Sequence, residues 1–255
     1  MGIVLEARAL HKTYAVGKQN EQHILKNVNL QMKKGEFVAV MGPSGSGKST
    51  LLYNVGGMDR MTSGSVALNG QEIAGLSERE LSELRLHSMG FIFQHHYLLK
   101  NLTLLDNIIL SAYMAKKGGR RQINQRAMEL MRKTGIAELA DRDITQASGG
   151  QLQRAAICRA LINQPDIVFG DEPTGALNSK AAGEVMDILA DLNRTGTAIL
   201  LVTHDVKVAA RTERVLYMLD GSLVGELPLG KCGAGNRDLK AREEKLSRWL
   251  MKMDE

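Results

Sequence analysis

The chain contains little cysteine and few aromatic residues. Its 255 residues include only Cys158 and Cys232, which lie far apart and form no C-x-x-C pair. We therefore expect reduced thiols and do not consider either cysteine a metal ligand. Aromatic residues make up 4% of the chain, too few for a surface on which single-stranded bases would stack. The net charge is +5, but the basic residues are scattered, so we expect no nucleic-acid partner.

Long hydrophobic runs are also missing. The most apolar segments, 102–110 and 198–203, are too short or too interrupted to cross a bilayer. The first residues lack the charged and apolar regions of a signal peptide, so work at a membrane would need another chain to span it. The 44% hydrophobic and 24% charged composition is typical of a soluble globular protein. The length suits one large α/β domain or a core with an inserted subdomain.

Segment 41–50 fits the phosphate-loop pattern G-x-x-x-x-G-K-[ST]. A buried strand is predicted before it (36–41) and a helix after it, which is the context that phosphate binding requires. Lys48 would reach the β- and γ-phosphates, and the Ser49 hydroxyl would ligate Mg²⁺. The predicted nucleotide-binding residues are Gly42, Pro43, Ser44, Gly45, Ser46, Gly47, Lys48, Ser49 and Thr50.

Polar residues follow other predicted strands. An apolar run, 166–170, ends in Asp171 and Glu172, which suit Mg²⁺ binding and activation of the attacking water. Gln94 and His204 also stand at strand ends. Because parallel strands present their carboxyl ends at one sheet edge, we expect these residues to converge there. For Tyr14, stacking on an adenine ring and an ordinary surface position are equally compatible with the sequence.

The remaining pattern predicts the surrounding elements. Residues 3–8 alternate like an edge strand, and 95–165 read as a helical subdomain with a helix at 121–134 and another capped by Ser148. Asp220-Gly221 predicts a hairpin with a type I′ turn. Residues 231–236 are a glycine-rich linker, followed by an amphipathic helix expected either to pack on its own domain or to be a solvated helix. Docking on a partner or a membrane is the alternative.

Together, the phosphate loop, Gln94, the segments 147–151, 167–172 and 176–179, and His204 closely resemble the ATP-binding subunits of ABC transporters. Ser-Gly-Gly-Gln next to the Asp-Glu strand is the discriminating signature. The resemblance covers about 3–228. It implies a P-loop NTPase core with an antiparallel β-subdomain and an inserted α-helical subdomain: core 1–94 and 166–230, helical subdomain 95–165, linker and C-terminal helix 231–255.

The resemblance also implies roles for individual residues. Tyr14 stacks on adenine, Gln94 senses Mg²⁺ and the γ-phosphate, and His204 positions the attacking water. With Glu172, Gln94 and His204 form the catalytic set, and Mg²⁺ is held by Ser49, Gln94 and Asp171. The signature residues would complete the ATP site of a second, head-to-tail subunit: Ser148, Gly149, Gly150 and Gln151.

Two positions depart from the family pattern. Ala147 stands where the family usually has Leu, which changes packing but leaves the anion contacts intact. Asn178 stands where it usually has Asp in the loop that serves communication between the two ATP sites. Asn keeps the hydrogen bonding and drops the charge.

The finer resemblance is to the MacB-like and LolD-like group with the bacitracin-resistance exporters, which pair with four-span permeases bearing a large extracytoplasmic domain. It implies an ATP-dependent homodimer at the cytoplasmic face of the cell membrane, powering export or extraction of a peptide, antimicrobial or lipid-linked substrate. The sequence leaves two alternatives open: an ATPase that drives a membrane partner without moving a substrate, and an importer subunit.

Overall fold

The structure, a computed structural model, describes residues 2–17, 20–233 and 238–253. Within these ranges there are ten strands: β1 (Ile3–Val16), β2 (Asn20–Lys33), β3 (Phe37–Met41), β4 (Ser63–Leu68), β5 (Gln71–Glu72), β6 (Met89–Phe93), β7 (Ile167–Asp171), β8 (Ala198–Val202), β9 (Arg214–Leu219) and β10 (Ser222–Pro228). The same ranges contain eight α-helices: α1 (Lys48–Val55), α2 (Glu78–Ser88), α3 (Leu104–Met114), α4 (Arg120–Lys133), α5 (Gly149–Leu161), α6 (Ser179–Arg194), α7 (Val206–Ala209) and α8 (Leu239–Met253).

The chain forms two compact units. The first contains Met1–Ser77 and Asn193–Glu255, and the second contains Glu78–Leu192. In the part of the chain that the structure describes, no helix is both long enough and apolar enough to cross a membrane.

Two sets of strands build the first unit. An antiparallel sheet has the order β2-β1-β4-β5, and a second set runs β10-β9-β3-β8 with β3 parallel to both β8 and β9. β3 and β8 are buried along their whole length, as expected for strands covered on both faces. The prediction of an edge strand at 3–8 is wrong: β1 continues to Val16 and pairs with β2 on one side and β4 on the other. Side-chain alternation reports a half-buried face, not the number of hydrogen-bonded neighbours.

The predicted hairpin is present between β9 and β10. Asp220 has φ 47° and Gly221 has φ 85°, the two left-handed positions that a type I′ turn requires. The turn also reaches the phosphate loop, because Gly221 N–H donates to Ser46 O at 3.0 Å. The hairpin turn is therefore hydrogen-bonded to the phosphate loop.

Helix α8 packs on the first unit, as expected. Leu246 is fully buried against Ala209, Val215 and Tyr217, and the Trp249 ring meets Tyr217 edge-on at 6.1 Å. Arg242 is 6% exposed and donates to four backbone carbonyls, those of Ala210, Thr212, Leu229 and Gly230. Part of the predicted linker, 234–237, lies outside the described residues.

The second unit contains the parallel pair β6-β7 and a helical group. The predicted helix at 121–134 is α4, whose buried face carries Ile123, Ala127 and Met131, and Gly135 follows it with φ 67°. This face packs with α3 and α5 around one apolar cluster. The prediction that this part of the chain is mainly helical is confirmed.

Candidate functional site

The phosphate loop joins the end of β3 at Met41 to the start of α1 at Lys48. Gly42 has φ 147°, and a Cβ atom there would lie 2.0 Å from Met218 O. Gly47 has φ 101° and caps α1, where a Cβ would meet Ile24 O at 3.0 Å. Both positions therefore need glycine for conformation and for space.

Two polar groups of the loop point to its chemistry. Lys48 Nζ donates to Gly42 O at 2.9 Å and Pro43 O at 2.7 Å, so the ammonium lies over the loop rather than away from it. Ser46 is 3% exposed, and no hydrogen-bond partner for its Oγ occurs among the described residues. A buried hydroxyl without a partner is costly, and an anionic ligand in the loop would supply one.

Tyr14 lies beside the first turn of α1. Its hydroxyl donates to Asp59, and a side-chain hydrogen bond joins it to Thr50. Lys12 Nζ lies 4.5 Å from the ring centroid and pairs with Asp59 at 2.7 Å. Partial burial, followed by the bond to Asp59, raises the pKa of Tyr14 to about 12, so the hydroxyl stays protonated. These contacts hold the ring in place, and the residue is 40% exposed.

His204 follows β8 at the edge where β3 delivers the phosphate loop. Val40 and Val202 are partners in the parallel pair, and Thr203 N–H donates to Val40 O at 3.2 Å. The phosphate loop and His204 therefore follow neighbouring strands at the same edge of the first unit's parallel strands.

Gln94, Asp171 and Glu172 are brought together in the second unit. Phe93 and Asp171 are partners in the parallel β6-β7 pair, so Gln94 and Glu172 both stand one step beyond it. Glu172 has φ 46°, a left-handed conformation that is uncommon for a residue other than glycine. Gly175 N–H donates to Glu172 O at 3.0 Å, and a Cβ at Gly175 would lie 3.1 Å from Gln94 Nε2. A tight turn thus carries Glu172 next to Gln94.

The signature segment begins α5. Ser148 is the N-cap, with its Oγ accepting from Gln151 N–H at 3.4 Å, and Gln151 Oε1 accepts from Ser148 N–H at 2.8 Å. The reciprocal pair is a capping box. Gly150 packs against α6, since a Cβ there would lie 3.1 Å from Ala181 Cβ.

The start of α5 lines a cavity of about 310 Å³ together with the loop at 176–178. Asn178 Oδ1 accepts from Ala181 N–H at 2.9 Å and so caps α6, a role that Asp and Asn perform equally well. Two helix N-termini thus face one cavity, and Lys180 adds a positive charge to its wall. Arg154 is paired with Glu184 at 2.7 Å.

Sequence reasoning missed the residues that support these groups. Lys12 and Asp59 orient Tyr14, and Gln153 holds the loops around Gln94 and Glu172. Gln153 stands in a helix, two positions after the signature. A polar residue that is buried in a helix indicates hydrogen bonds to other elements, but the partners of Gln153 are about 20 and 60 residues away. No short-range pattern identifies them.

Comparison with known proteins places the chain in a family. Residues 25–175 match the family model described as "ABC transporter". The chain is 40% identical over 226 residues to a lipoprotein-releasing system ATP-binding protein, LolD 1, of Rhodopseudomonas palustris, covering 88% of this chain and all of the relative. It is 46% identical to LolD of Aquifex aeolicus, covering 80% of this chain and 91% of the relative. It is 42% identical to the bacitracin export ATP-binding protein BceA of Halalkalibacterium halodurans, covering 89% of each.

Solved structures agree with the sequence matches. The ATP-binding cassette MJ0796, captured as a dimer in a post-hydrolysis state bound to ADP and Pi, superimposes with a TM-score of 0.83 at 39% identity, covering 88% of this chain and 98% of that one. A second dimeric structure of that bacterial ABC transporter cassette also gives 0.83, at 40% identity and the same coverage. The predicted fold class is confirmed. The chain belongs to the ABC transporter family, as one of its ATP-binding, ATP-hydrolysing subunits.

Proposed function

We propose that this chain dimerises head-to-tail when it binds ATP and that hydrolysis powers a separate membrane permease. The observation that carries the proposal is the cavity in front of α5 and α6. Its lining residues all lie between 148 and 184, yet it offers the two helix N-termini and the lysine that suit a phosphate. A nucleotide held by the phosphate loop of a second chain would supply that phosphate. The related cassette solved as a dimer supports this arrangement.

The phosphate loop fits ATP on the chain's own geometry. A Cβ atom at Gly42 or Gly47 would collide with Met218 O or Ile24 O, so glycine at both positions lets the loop keep its conformation. Ser46 Oγ is buried and can bond a phosphate oxygen, and the Lys48 ammonium would exchange its bonds to the Gly42 and Pro43 carbonyls for bonds to phosphate oxygens. Tyr14 would stack on the adenine ring, with the rest of the loop residues around the phosphates.

We assign the hydrolytic roles to residues at the strand ends. Glu172 accepts the proton of the attacking water, and Gln94 and His204 orient that water. The hydroxyl of Ser49, the carboxylate of Asp171 and the amide oxygen of Gln94 are the kinds of ligand that Mg²⁺ prefers. When bound, Mg²⁺ would neutralise charge on the phosphates. Ser148, Gly149, Gly150 and Gln151 complete the site of the partner subunit, and Asn178 couples the two sites.

An exposed apolar surface on the second unit suits a permease. Tyr97 is 66% exposed, Leu99 49% and Met114 65%. Asn107 attaches the segment at Leu99 to α3, the helix that ends at Met114, since its amide accepts from Leu99 N–H at 2.7 Å and donates to Leu99 O at 3.1 Å. Exposed apolar surfaces mark interaction sites. Because named relatives serve lipoprotein release and bacitracin export, we propose a four-span export permease as the partner and the cytoplasmic face of the cell membrane as the location.

We further propose a domain organisation for the chain. Residues 1–94 and 166–230 form the ATPase core, 95–165 the signature subdomain, and 231–255 the linker and C-terminal helix. The packing of α8 on the first unit supports a structural role for that helix.

The decisive experiment uses Glu172→Gln. The amide cannot accept the proton of water, so we expect hydrolysis to fall by at least about a hundredfold while ATP binding persists. The variant should then accumulate as an ATP-bound dimer, measured by light scattering. Purified from membranes with ATP, it should carry a four-span permease with a large outer domain, identified by mass spectrometry.

Glu138→Gln is the matched control, since Glu138 is an exposed carboxylate on the same unit. It should hydrolyse ATP normally and form no stable dimer. Normal turnover by Glu172→Gln would remove the assigned role of Glu172. Recovery of a six-span permease would instead favour import, and recovery of no membrane protein would contradict a permease partner.

A further inference from the structure

Gln153 is a buried amide in α5 with three hydrogen bonds that leave its own helix. The residue is 1% exposed. Its Nε2 donates to Pro173 O at 2.7 Å and to Phe93 O at 3.2 Å, and its Oε1 lies 2.5 Å from His96 Nδ1. Two carbonyls face the nitrogen, so the amide orientation is determined, and His96 must donate through Nδ1. Both donors of the side chain are committed to these carbonyls, and its oxygen accepts from His96.

The two carbonyls flank the residues assigned to hydrolysis. Phe93 O belongs to the peptide that precedes Gln94, and Pro173 directly follows Glu172. Phe93 is the last residue of the parallel strand β6, and Pro173 lies two residues beyond the end of β7. One side chain on the signature helix therefore holds the backbone next to both Gln94 and Glu172.

The Glu172 backbone needs such support. Its φ of 46° is in the left-handed region, which is strained for a residue other than glycine. Pro173 adds to the strain, because a proline ring favours extended conformations in the residue before it. Such a conformation persists only when its surroundings hold it. In this turn, Gly175 N–H bonds Glu172 O and Gln153 bonds Pro173 O.

A second residue of α5 also bonds the loop that follows Gln94. Arg159 donates to His96 O at 2.8 Å and to Tyr97 O at 2.6 Å. The loop after Gln94 is thereby attached to α5 at both Gln153 and Arg159, whereas the turn after Glu172 is attached through Gln153. A shift of α5 therefore moves the Gln94 loop through both Gln153 and Arg159, and the Glu172 turn through Gln153.

We propose that Gln153 is a positioning residue that couples the signature to hydrolysis within one chain. When the Ser148 end of α5 engages the nucleotide of the partner subunit, Gln153 carries the resulting position of the helix to Pro173 and Phe93, and so aligns Glu172 and Gln94. This role rests on the proposed function, in which Ser148 acts on the partner's nucleotide and Glu172 on the chain's own.

The test compares Gln153→Leu with Asn163→Leu. Asn163 is equally suited as a control, because it is a 5% exposed amide that donates to two carbonyls, Leu86 O at 2.9 Å and Ser111 O at 3.2 Å, away from Gln94 and Glu172. Gln153→Leu loses three buried hydrogen bonds and Asn163→Leu loses two. We expect Gln153→Leu to lower kcat about ten- to a hundredfold with KM for ATP little changed, and Asn163→Leu to leave kcat near the wild-type value.

Hydrogen exchange supplies a readout that does not depend on activity. The Gly175 amide, bonded to Glu172 O, should exchange faster in Gln153→Leu and unchanged in Asn163→Leu. If Gln153→Leu fails to fold, Gln153→Glu keeps the size and the His96 contact and removes both donors at neutral pH. As pH falls and that carboxyl gains a proton, one donor returns, so its activity relative to wild type should rise.

Wild-type kcat in Gln153→Leu, with unchanged exchange at Gly175, overturns the proposal. An equal loss of kcat in both leucine variants also overturns it, because the effect would then be general destabilisation. Failure of the proposed function has a different signature: Glu172→Gln would then hydrolyse ATP normally.

Discussion

At the scale of single residues, Tyr14, Lys12 and Asp59 form a cluster whose hydrogen bonds and charges explain how it stabilises the fold. Lys12 is 8% exposed and donates to Asp59 Oδ1 and to Arg60 O. Burial by itself raises the pKa of Asp59. The hydrogen bonds from Lys12 and Tyr14 and the charge of Lys12 lower that pKa by more than burial raises it, so it lies below its ordinary value. The carboxylate therefore stabilises the fold wherever it is ionised.

We expect Asp59→Asn to lower the free energy of unfolding by about 1–2 kcal/mol at neutral pH, because Lys12 keeps its position and loses its ionic partner. Since the folded pKa of Asp59 is below the unfolded one, its contribution is complete above about pH 4 and is lost as pH falls through the folded value. The stability difference between wild type and variant, measured by urea unfolding, should therefore shrink on acidification. Lys240→Gln, on the exposed side of α8, is a control with a constant difference. A gap that widens in acid would contradict the assignment.

At the scale of elements, the start of α5 combines a structural cap with an anion site, and substitutions can separate the two. Asp and Asn cap helices about as well as Ser, so Ser148→Asp and Ser148→Asn should both leave stability within about 0.5 kcal/mol of wild type. Only Asp adds a negative charge where the partner's phosphate would lie. We expect Ser148→Asp to reduce cooperative hydrolysis by more than about tenfold and Ser148→Asn to reduce it less. Thermal unfolding and ATPase assays at several protein concentrations measure both effects. Equal activity of the two variants would argue against a phosphate at this helix end.

The elements also show how far the sequence determines the structure. The capped α5, the helix before Gly135 and the Asp220-Gly221 turn were predictable because each depends on neighbours within about four residues. The phosphate loop was predictable because the glycines and the lysine lie in one short motif. The central position of β1 was not, since its pairing with both β2 and β4 depends on strands far along the chain. Gln153 was not either, because a buried amide in a helix does not reveal which carbonyls it bonds.

At the scale of the whole molecule, each ATP site of the proposed dimer takes its phosphate loop from one chain and its signature from the other. Lys48→Ala removes the first half-site, and Ser148→Asp impairs the second. Neither variant alone can assemble an intact site. A mixed dimer has one intact site, built from the loop of the Ser148→Asp chain and the signature of the Lys48→Ala chain.

Mixing the two inactive variants should therefore restore trapping of ATP, measured as radiolabelled nucleotide retained after rapid gel filtration. With equal amounts, half of the dimers are mixed and each holds one intact site, so retention should reach about a quarter of the wild-type value. The matched control mixes Lys48→Ala with a chain that carries both substitutions, because no pairing of those chains yields an intact site. Retention in the first mixture alone requires sites shared between chains, whereas none in either mixture would mean that each chain uses its own signature. Trapping, unlike turnover, does not require both sites to act together, so a single intact site is enough to decide between the two arrangements.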